Sequence, residues 1–203
     1  MASKGSLAVF LGKLEEFNIA KVREEQYTTP SELAADILWQ AYMAGDIEGK
    51  TIADLGAGTG ILGLGTIYLG AKKVYFVESE ANALEVCKRN LEKNVPPELY
   101  EIANIDISGF SQKVDTVIMN PPFGTKIKHA DQEFLNKALE IAKVIYTIHK
   151  TSTNPWLTEY TRNYKTAHWE VRFPIKHTHS FHDKPVKYID VSVWRIERND
   201  TNI

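Results

Sequence analysis

A chain of 203 residues, 43% of them hydrophobic, can bury one good α/β core and has no room for a second large domain, so a single domain over 1–203 is expected. One cysteine, Cys87, excludes a disulfide framework and a cysteine-rich zinc site, and the lack of a signal peptide or membrane-length apolar run completes the expectation of a cytoplasmic protein with no membrane association. A net charge of −2 is not the balance of a free-standing nucleic-acid binder, so an RNA substrate would need local positive charge or a partner.

In chain order, the pattern predicts a helix near Leu7 to Phe17 and then a polar connector. Thr29-Pro30-Ser31-Glu32 reads as a helix start, with Thr29 as N-cap, Pro30 at the first helical position and Glu32 closing a capping box. That helix runs to Ala44 with Leu33, Ile37, Leu38 and Ala41 on one side, and Gly45 ends it. The apolar stretch Thr51-Ile52-Ala53 leads into Asp54-Leu55-Gly56-Ala57-Gly58-Thr59-Gly60 and a helical run from Ile61 to Leu69. Strand, glycine turn and helix form the nucleotide-binding start of an α/β unit, because glycines let backbone approach a ligand and the helix N-terminus presents unpaired N–H groups.

A glycine pattern alone is weak, since any tight βα turn favours glycine. The following elements narrow it. Val74 to Val77 forms a second strand ending at Glu78, whose carboxylate can accept from the 2′ and 3′ hydroxyls of a ribose. A helix from Ala81 to Asn94 is stopped by Pro96-Pro97. A third strand, Tyr100 to Asn104, leads to Asp106, placed to accept from an adenine amino group while the Ile107 N–H serves a ring nitrogen. There is no phosphate-loop lysine, and Asp54 would repel a pyrophosphate. Together these features favour an adenosine ligand carrying positive charge over NAD or ATP, and S-adenosyl-L-methionine fits.

A buried strand, Asp115 to Met119, then runs into Asn120-Pro121-Pro122-Phe123. Asn offers an oxygen acceptor, each proline leaves a carbonyl free while stiffening the loop, and Phe supplies a stacking face, a set suited to an amine or amide NH2. Beyond it the pattern predicts an amphipathic helix from Phe134 to Ala142, a strand from Lys143 to His149 and a modest helix from Thr158 to Ala167. Two β runs, Trp169 to Ile175 and Lys187 to Ile196, form a hairpin across a His-rich link, and His168 and Trp169 read as packing residues.

The loops Asp54 to Gly60 and Asn120 to Phe123, with Glu78 and Asp106, resemble the motifs of amino-methylating class I S-adenosylmethionine-dependent methyltransferases. Glu25-Gln26-Tyr27-Thr28-Thr29-Pro30, Asn120 to Lys126, Asp131 to Leu135, Tyr146 to Lys150, Phe181-His182 and Ile189-Asp190-Val191 are similar in particular to the methyltransferase-like five family, in order from about Gln26 to Ile196. The resemblance implies a Rossmann-like fold: a seven-stranded, mostly parallel sheet with an antiparallel C-terminal strand and helices on both faces. It also implies methylation of N6 of an adenosine in small-subunit ribosomal RNA. Catalytic roles fall on Asn120, Pro121, Pro122 and Phe123. Cofactor roles fall on Gln26, Tyr27 and Thr29 in a covering segment within residues 1–30, on Asp54, Gly56, Gly58, Thr59, Gly60 and Ile61, and on Glu78, Asp106 and Ile107. Family members use a small zinc-binding activator subunit that adds a strand at the third-strand edge, and the compactness is that of archaeal-type members. Glu78 stands where the family often has Asp, and Asn154 where it often has Arg.

The segment His177 to Asp183 offers a His-x-His spacing for zinc, but exposed histidines without cysteine partners are more often solvated, so no metal is expected. Lys126, Lys128, His149, Lys150 and His182 are instead candidates for a local basic rim that touches RNA phosphate. Two other readings share the motifs: a protein glutamine methyltransferase, whose amide presents the same NH2, and a non-catalytic ribosome-assembly protein.

Overall fold

A computed structural model describes residues 2–16, 29–122, 130–175 and 187–199. Within them the chain forms helices α1 (Lys4–Leu11), α2 (Ser31–Met43), α3 (Ile61–Tyr68), α4 (Ala81–Asn94), α5 (Ala130–Ile141) and α6 (Asn154–Tyr160). The strands are β1 (Thr51–Leu55), β2 (Lys73–Val77), β3 (Tyr100–Ala103), β4 (Val114–Met119), β5 (Ala142–Lys150), β6 (Lys165–Ile175) and β7 (Lys187–Glu197).

The strands make one seven-stranded sheet in the order β3-β2-β1-β4-β5-β7-β6. The first five are parallel, and β7 returns antiparallel between β5 and β6. Chain order reverses between β1 and β4, so a crevice opens beyond their C-terminal ends, where open α/β sheets bind ligands. Alternation along the strands divides the core in two. Ile52, Phe76, Ile118, Tyr146, Ile148 and Val193 meet α1, α2, α3 and part of α4 on one face, while Leu55, Val117, Met119, Ile145 and Trp194 meet α5 and α6 on the other.

Local chemistry sets several ends. A capping box starts α1: the Ser6 N–H donates to the Ser3 hydroxyl at 3.1 Å, and the Ser3 N–H donates to the Ser6 hydroxyl at 2.9 Å. Gly60, at φ 83°, is the left-handed N-cap of α3. Gly63 lets α3 lie against β2, since a Cβ there would come within 2.3 Å of the Phe76 ring.

Two expected ends are corrected. α2 begins behind Pro30 without a side-chain cap, and the Thr29 hydroxyl is turned instead to Asn120. The helix expected over Thr158 to Ala167 lies earlier, at Asn154–Tyr160, and Lys165 already opens β6. Asn154 anchors that start: its Oδ1 accepts from the Trp194 indole at 3.0 Å and its Nδ2 donates to the Ser192 hydroxyl at 2.9 Å. After Tyr160 the long ladder with β7 overrides a weak helical preference.

One polar network fastens the turn between α2 and β1 to the middle of the sheet. Arg195 donates to both oxygens of Asp46 at 2.8 and 3.2 Å, and the Tyr146 hydroxyl donates to the same carboxylate at 2.7 Å. The Thr116 hydroxyl donates to the Asp46 carbonyl at 2.7 Å.

Candidate active site

The crevice is walled by the loops after β1, β2, β3 and β4. After β1, the Gly56 and Ala57 N–H groups both donate to the Val77 carbonyl, at 2.9 and 3.1 Å, which ties the glycine loop to the end of β2. Glu78, the residue after β2, accepts from the Gly58 N–H at 2.9 Å through one carboxylate oxygen and from the Glu80 N–H at 2.8 Å through the other. These bonds hold a half-buried carboxylate at the mouth of the loop and leave lone pairs for further donors. Thr59 and Ile61 are buried, and Asn90 of α4 braces the turn by donating to the Thr59 carbonyl at 3.0 Å.

Asp54 lies beneath this loop and is only 1% exposed. Its Oδ2 accepts from the Gly63 N–H at 2.8 Å, satisfying one of the unpaired donors in the first turn of α3. Burial pushes its carboxyl up to about 7, against the Gly63 hydrogen bond and with some help from Glu78. A cation brought to this side of the loop would favour the charged form.

Asp106, after β3, caps a short turn: its Oδ1 accepts from the Ser108 N–H at 2.9 Å and from the Ser108 hydroxyl at 2.6 Å. Those bonds hold its carboxyl below the usual range. Asp106 and Ile107 form one side of an open groove of about 550 Å³, whose other side is Glu133, Asn136 and Lys137 of α5.

At the end of β4, Asn120 is half-buried, Pro121 buried and Pro122 exposed. The Asn120 Nδ2 donates to the Thr29 hydroxyl at 3.0 Å, linking the end of β4 to the residue before Pro30, at the entry to α2, across 91 positions. Its Oδ1 is buried, with no hydrogen-bond partner among the described residues. Buried carbonyl oxygens are rarely left so.

The rim expectation needs one correction. His149 is 2% exposed, with its Nε2 2.9 Å from the Thr147 hydroxyl. Burial lowers its pKa to about 4, against the attraction of Asp131, so it is neutral at pH 7 and offers phosphate no charge. Lys150 ends β5, half-buried. Gln26, Tyr27, Phe123, Lys126, Lys128 and His182 lie outside the described residues, as does the histidine cluster expected at 177–183. Asn154 spends its amide inside the fold, as described, which accounts for its place there without a phosphate. The Thr29 contact and the inward turn of Asp54 were not foreseen from sequence, and nothing local to either residue signals them.

Sheet order, glycine loop and crevice define a class I methyltransferase fold. Residues 31–144 match the family model described as methyltransferase small domain. Over almost its whole length the chain is similar to other proteins, among them the following three. It is 37% identical to the uncharacterised protein MJ0284 of Methanocaldococcus jannaschii, over 98% of this chain and 95% of the relative. It is 32% identical to the rRNA N(6)-adenosine-methyltransferase Mettl5 of Drosophila melanogaster, over 94% of each. The crystal structure of PH1948 from Pyrococcus horikoshii, proposed to be an RNA methyltransferase, superposes with a TM-score of 0.85 at 38% identity, over 98% of this chain and 99% of that one. The chain belongs to the methyltransferase small domain family, in the group that includes the Mettl5 rRNA adenosine methyltransferase.

Proposed function

We infer that this protein is an S-adenosylmethionine-dependent methyltransferase that methylates N6 of an adenosine in small-subunit ribosomal RNA. The observation that carries this reading is the Asn120 Oδ1: a buried acceptor without a partner among the described residues, at the sheet end beside the glycine loop. An amine donating there would satisfy it. Kinship with the Mettl5 enzyme of Drosophila melanogaster selects an adenosine in rRNA as the source of that amine.

The residues present fit the cofactor. Glu78 keeps acceptor capacity for ribose hydroxyls, Asp106 and the Ile107 N–H are set for an adenine edge, and the glycine loop admits close approach. Asp54, whose carboxyl is poised near neutrality beneath the loop, gains from a cation above it. Gln26, Tyr27 and Thr29 belong to the covering segment. When bound, S-adenosylmethionine supplies an electrophilic methyl group on a positively charged sulfur.

This chain's own part is orientation. The N6 lone pair of adenine is delocalised into the ring, so the amine is a poor nucleophile until its hydrogens are held. Asn120 Oδ1 and the Pro121 carbonyl accept those two hydrogens and turn the lone pair toward the methyl group, while Pro122 keeps the loop stiff and Phe123 stacks on the extruded base. The Thr29 hydroxyl fixes the Asn120 amide, so its oxygen is aimed before substrate arrives. No general base is needed at transfer, because the product nitrogen carries an acidic proton that water removes. Lys126, Lys128, Lys150 and His182 are the remaining candidates for phosphate contacts.

Among the described residues β3 pairs only with β2 and so forms one edge of the sheet, with Tyr100 and Ile102 half-buried along it. An open edge with apolar side chains accepts a strand from another chain, and a small zinc-binding activator is the proposed occupant. Among the described residues no helix is long and apolar enough to cross a membrane, and work on rRNA fits a cytoplasmic location.

The test is to offer purified protein methyl-labelled S-adenosylmethionine with either small-subunit rRNA or a release-factor-like protein, then digest the RNA to nucleosides. Label in N6-methyladenosine is expected. Label in the protein glutamine would replace the substrate, and label in neither would remove the enzymatic reading.

A further inference from the structure

Asn90, on α4, is 1% exposed, and its side-chain amide holds two distant segments at once. Its Oδ1 accepts from the Glu15 N–H at 2.8 Å and its Nδ2 donates to the Glu15 carbonyl at 3.1 Å, so one side chain pairs with both backbone groups of one residue, as a residue of a neighbouring strand would. The second Nδ2 hydrogen goes to the Thr59 carbonyl at 3.0 Å. Both amide donors are thereby spent, and only this orientation of the amide satisfies all three contacts. Glu15 lies 75 positions before Asn90 and Thr59 lies 31 before it, so the bridge joins the chain leaving α1 to the glycine loop by way of a third element.

At the loop end the Thr59–Gly60 peptide is held from both sides. Asn90 takes its carbonyl, and the Gly60 N–H donates to the Ala57 carbonyl at 2.8 Å. One turn earlier on α4, Cys87 fills the space beside Gly60, where a Cβ would come within 2.8 Å of its Sγ. α4 therefore fixes the peptide at the left-handed N-cap of α3, in the turn whose backbone a nucleotide must approach. At the other end, the Arg89 Nε donates to the Glu15 carboxylate at 2.9 Å. That ion pair is largely exposed and contributes little, so the backbone pairing with Asn90 is the stronger hold on Glu15.

We propose that Asn90 is a positioning residue for the cofactor, whose amide couples the backbone at Glu15 to the Thr59–Gly60 peptide, so that S-adenosylmethionine affinity depends on a contact made by the N-terminal segment. The coupling rests on the reading of the glycine loop as the S-adenosylmethionine site. Linkage makes it reciprocal: whatever factor the Glu15 contact adds to cofactor affinity, the bound cofactor adds to the persistence of that contact.

Asn90→Ala strips three backbone groups of their partner and can fail for want of stability alone, so the bridge is better cut at Glu15. Glu15→Pro removes the N–H that Asn90 accepts, and Glu15→Ala removes only the ion pair with Arg89. Against Glu15→Ala, the calorimetric Kd of Glu15→Pro for S-adenosylmethionine should rise roughly three- to tenfold, the range of one neutral hydrogen bond. In turnover the loss should appear in KM for S-adenosylmethionine and not in kcat, because neither Glu15 nor Asn90 bonds to Asn120. The second arm uses wild-type protein and S-adenosylhomocysteine as an unreactive probe. Exchange of the Glu15 amide hydrogen should slow by that same factor beyond any slowing at Gly12, whose N–H bonds to Ala8 within the first helical segment and reports general stabilisation. Equal Kd values in Glu15→Pro and Glu15→Ala would overturn the coupling, even if Glu15→Pro melts lower, since that pattern marks a purely structural bond. Equal slowing at Glu15 and Gly12 would overturn it as well. Failure of wild-type protein to bind S-adenosylmethionine would instead strike the cofactor reading itself, so the two failures are distinct.

Discussion

Asn120→Ala separates stability from chemistry because the two amide atoms stand in opposite situations. Nδ2 is bonded to the Thr29 hydroxyl at 3.0 Å, a contact whose loss costs about 0.5–1.5 kcal/mol. Oδ1 is buried without a partner among the described residues, and removing such an atom relieves about 1–3 kcal/mol of desolvation. The terms oppose each other, so the variant should lie between a loss of about 0.5 kcal/mol and a gain of about 2.5 kcal/mol in folding free energy. Transfer loses an orienting acceptor used chiefly in the transition state, and the rate should fall on the order of 10²–10³-fold. Single-turnover transfer of labelled methyl to rRNA measures the rate, urea unfolding measures stability, and calorimetry should find cofactor affinity within a few-fold of wild type. A rate within a few-fold of wild type would refute the orienting role. Destabilisation beyond about 3 kcal/mol would show that the oxygen has a structural partner in solution, and the reasoning from its isolation would fail with it.

Three further outcomes follow from the same geometry. Glu78→Ala and Asp106→Ala should each weaken S-adenosylmethionine by about 1.5–3 kcal/mol in calorimetry, as charge-assisted hydrogen bonds are lost; wild-type affinity in both would remove the ribose and adenine assignments. His149 has a folded pKa of about 4 against an ordinary 6.5, so between those values the unfolded chain takes up a proton that the native protein refuses. Its effect on stability is absent above about pH 6.5 and becomes a growing loss as pH falls toward 4, and His149→Gln should flatten that part of the stability–pH curve; an unchanged slope would mean the imidazole is protonated in the fold. Co-expression with small zinc-binding candidates should yield a complex that co-elutes in size-exclusion chromatography and melts higher than the lone chain, with Ile102→Lys abolishing both; if nothing co-elutes, the β3 edge carries no such partner.

Much of the architecture was written locally. α4 is bounded as expected, at Ala81 and Asn94, because its apolar residues recur at helical spacing and Pro96 forbids continuation. The β1 to α3 unit was legible in its glycines, since few other residues would take the left-handed turn at Gly60. The positions of Glu78, Asp106 and Asn120 at strand ends followed from strand length and chain order alone. Tertiary structure decided what those residues touch. Thr29 could serve as a helix cap by every local rule, yet its hydroxyl meets an amide 91 residues away, and only the strand order brings them together. His149 looked like a surface base beside a lysine, but its place on a strand flanked by two others buries it and removes its charge. Trp169 looked like ordinary packing, and its N–H, unpaired among the described residues, emerges only when β7 is seated between β5 and β6. Helical periods, turns and caps are fixed by neighbours within a few residues, so a sequence displays them directly. Burial, protonation and hydrogen-bond satisfaction belong to pairs of segments distant in the chain, and they acquire values only once the sheet has closed over them.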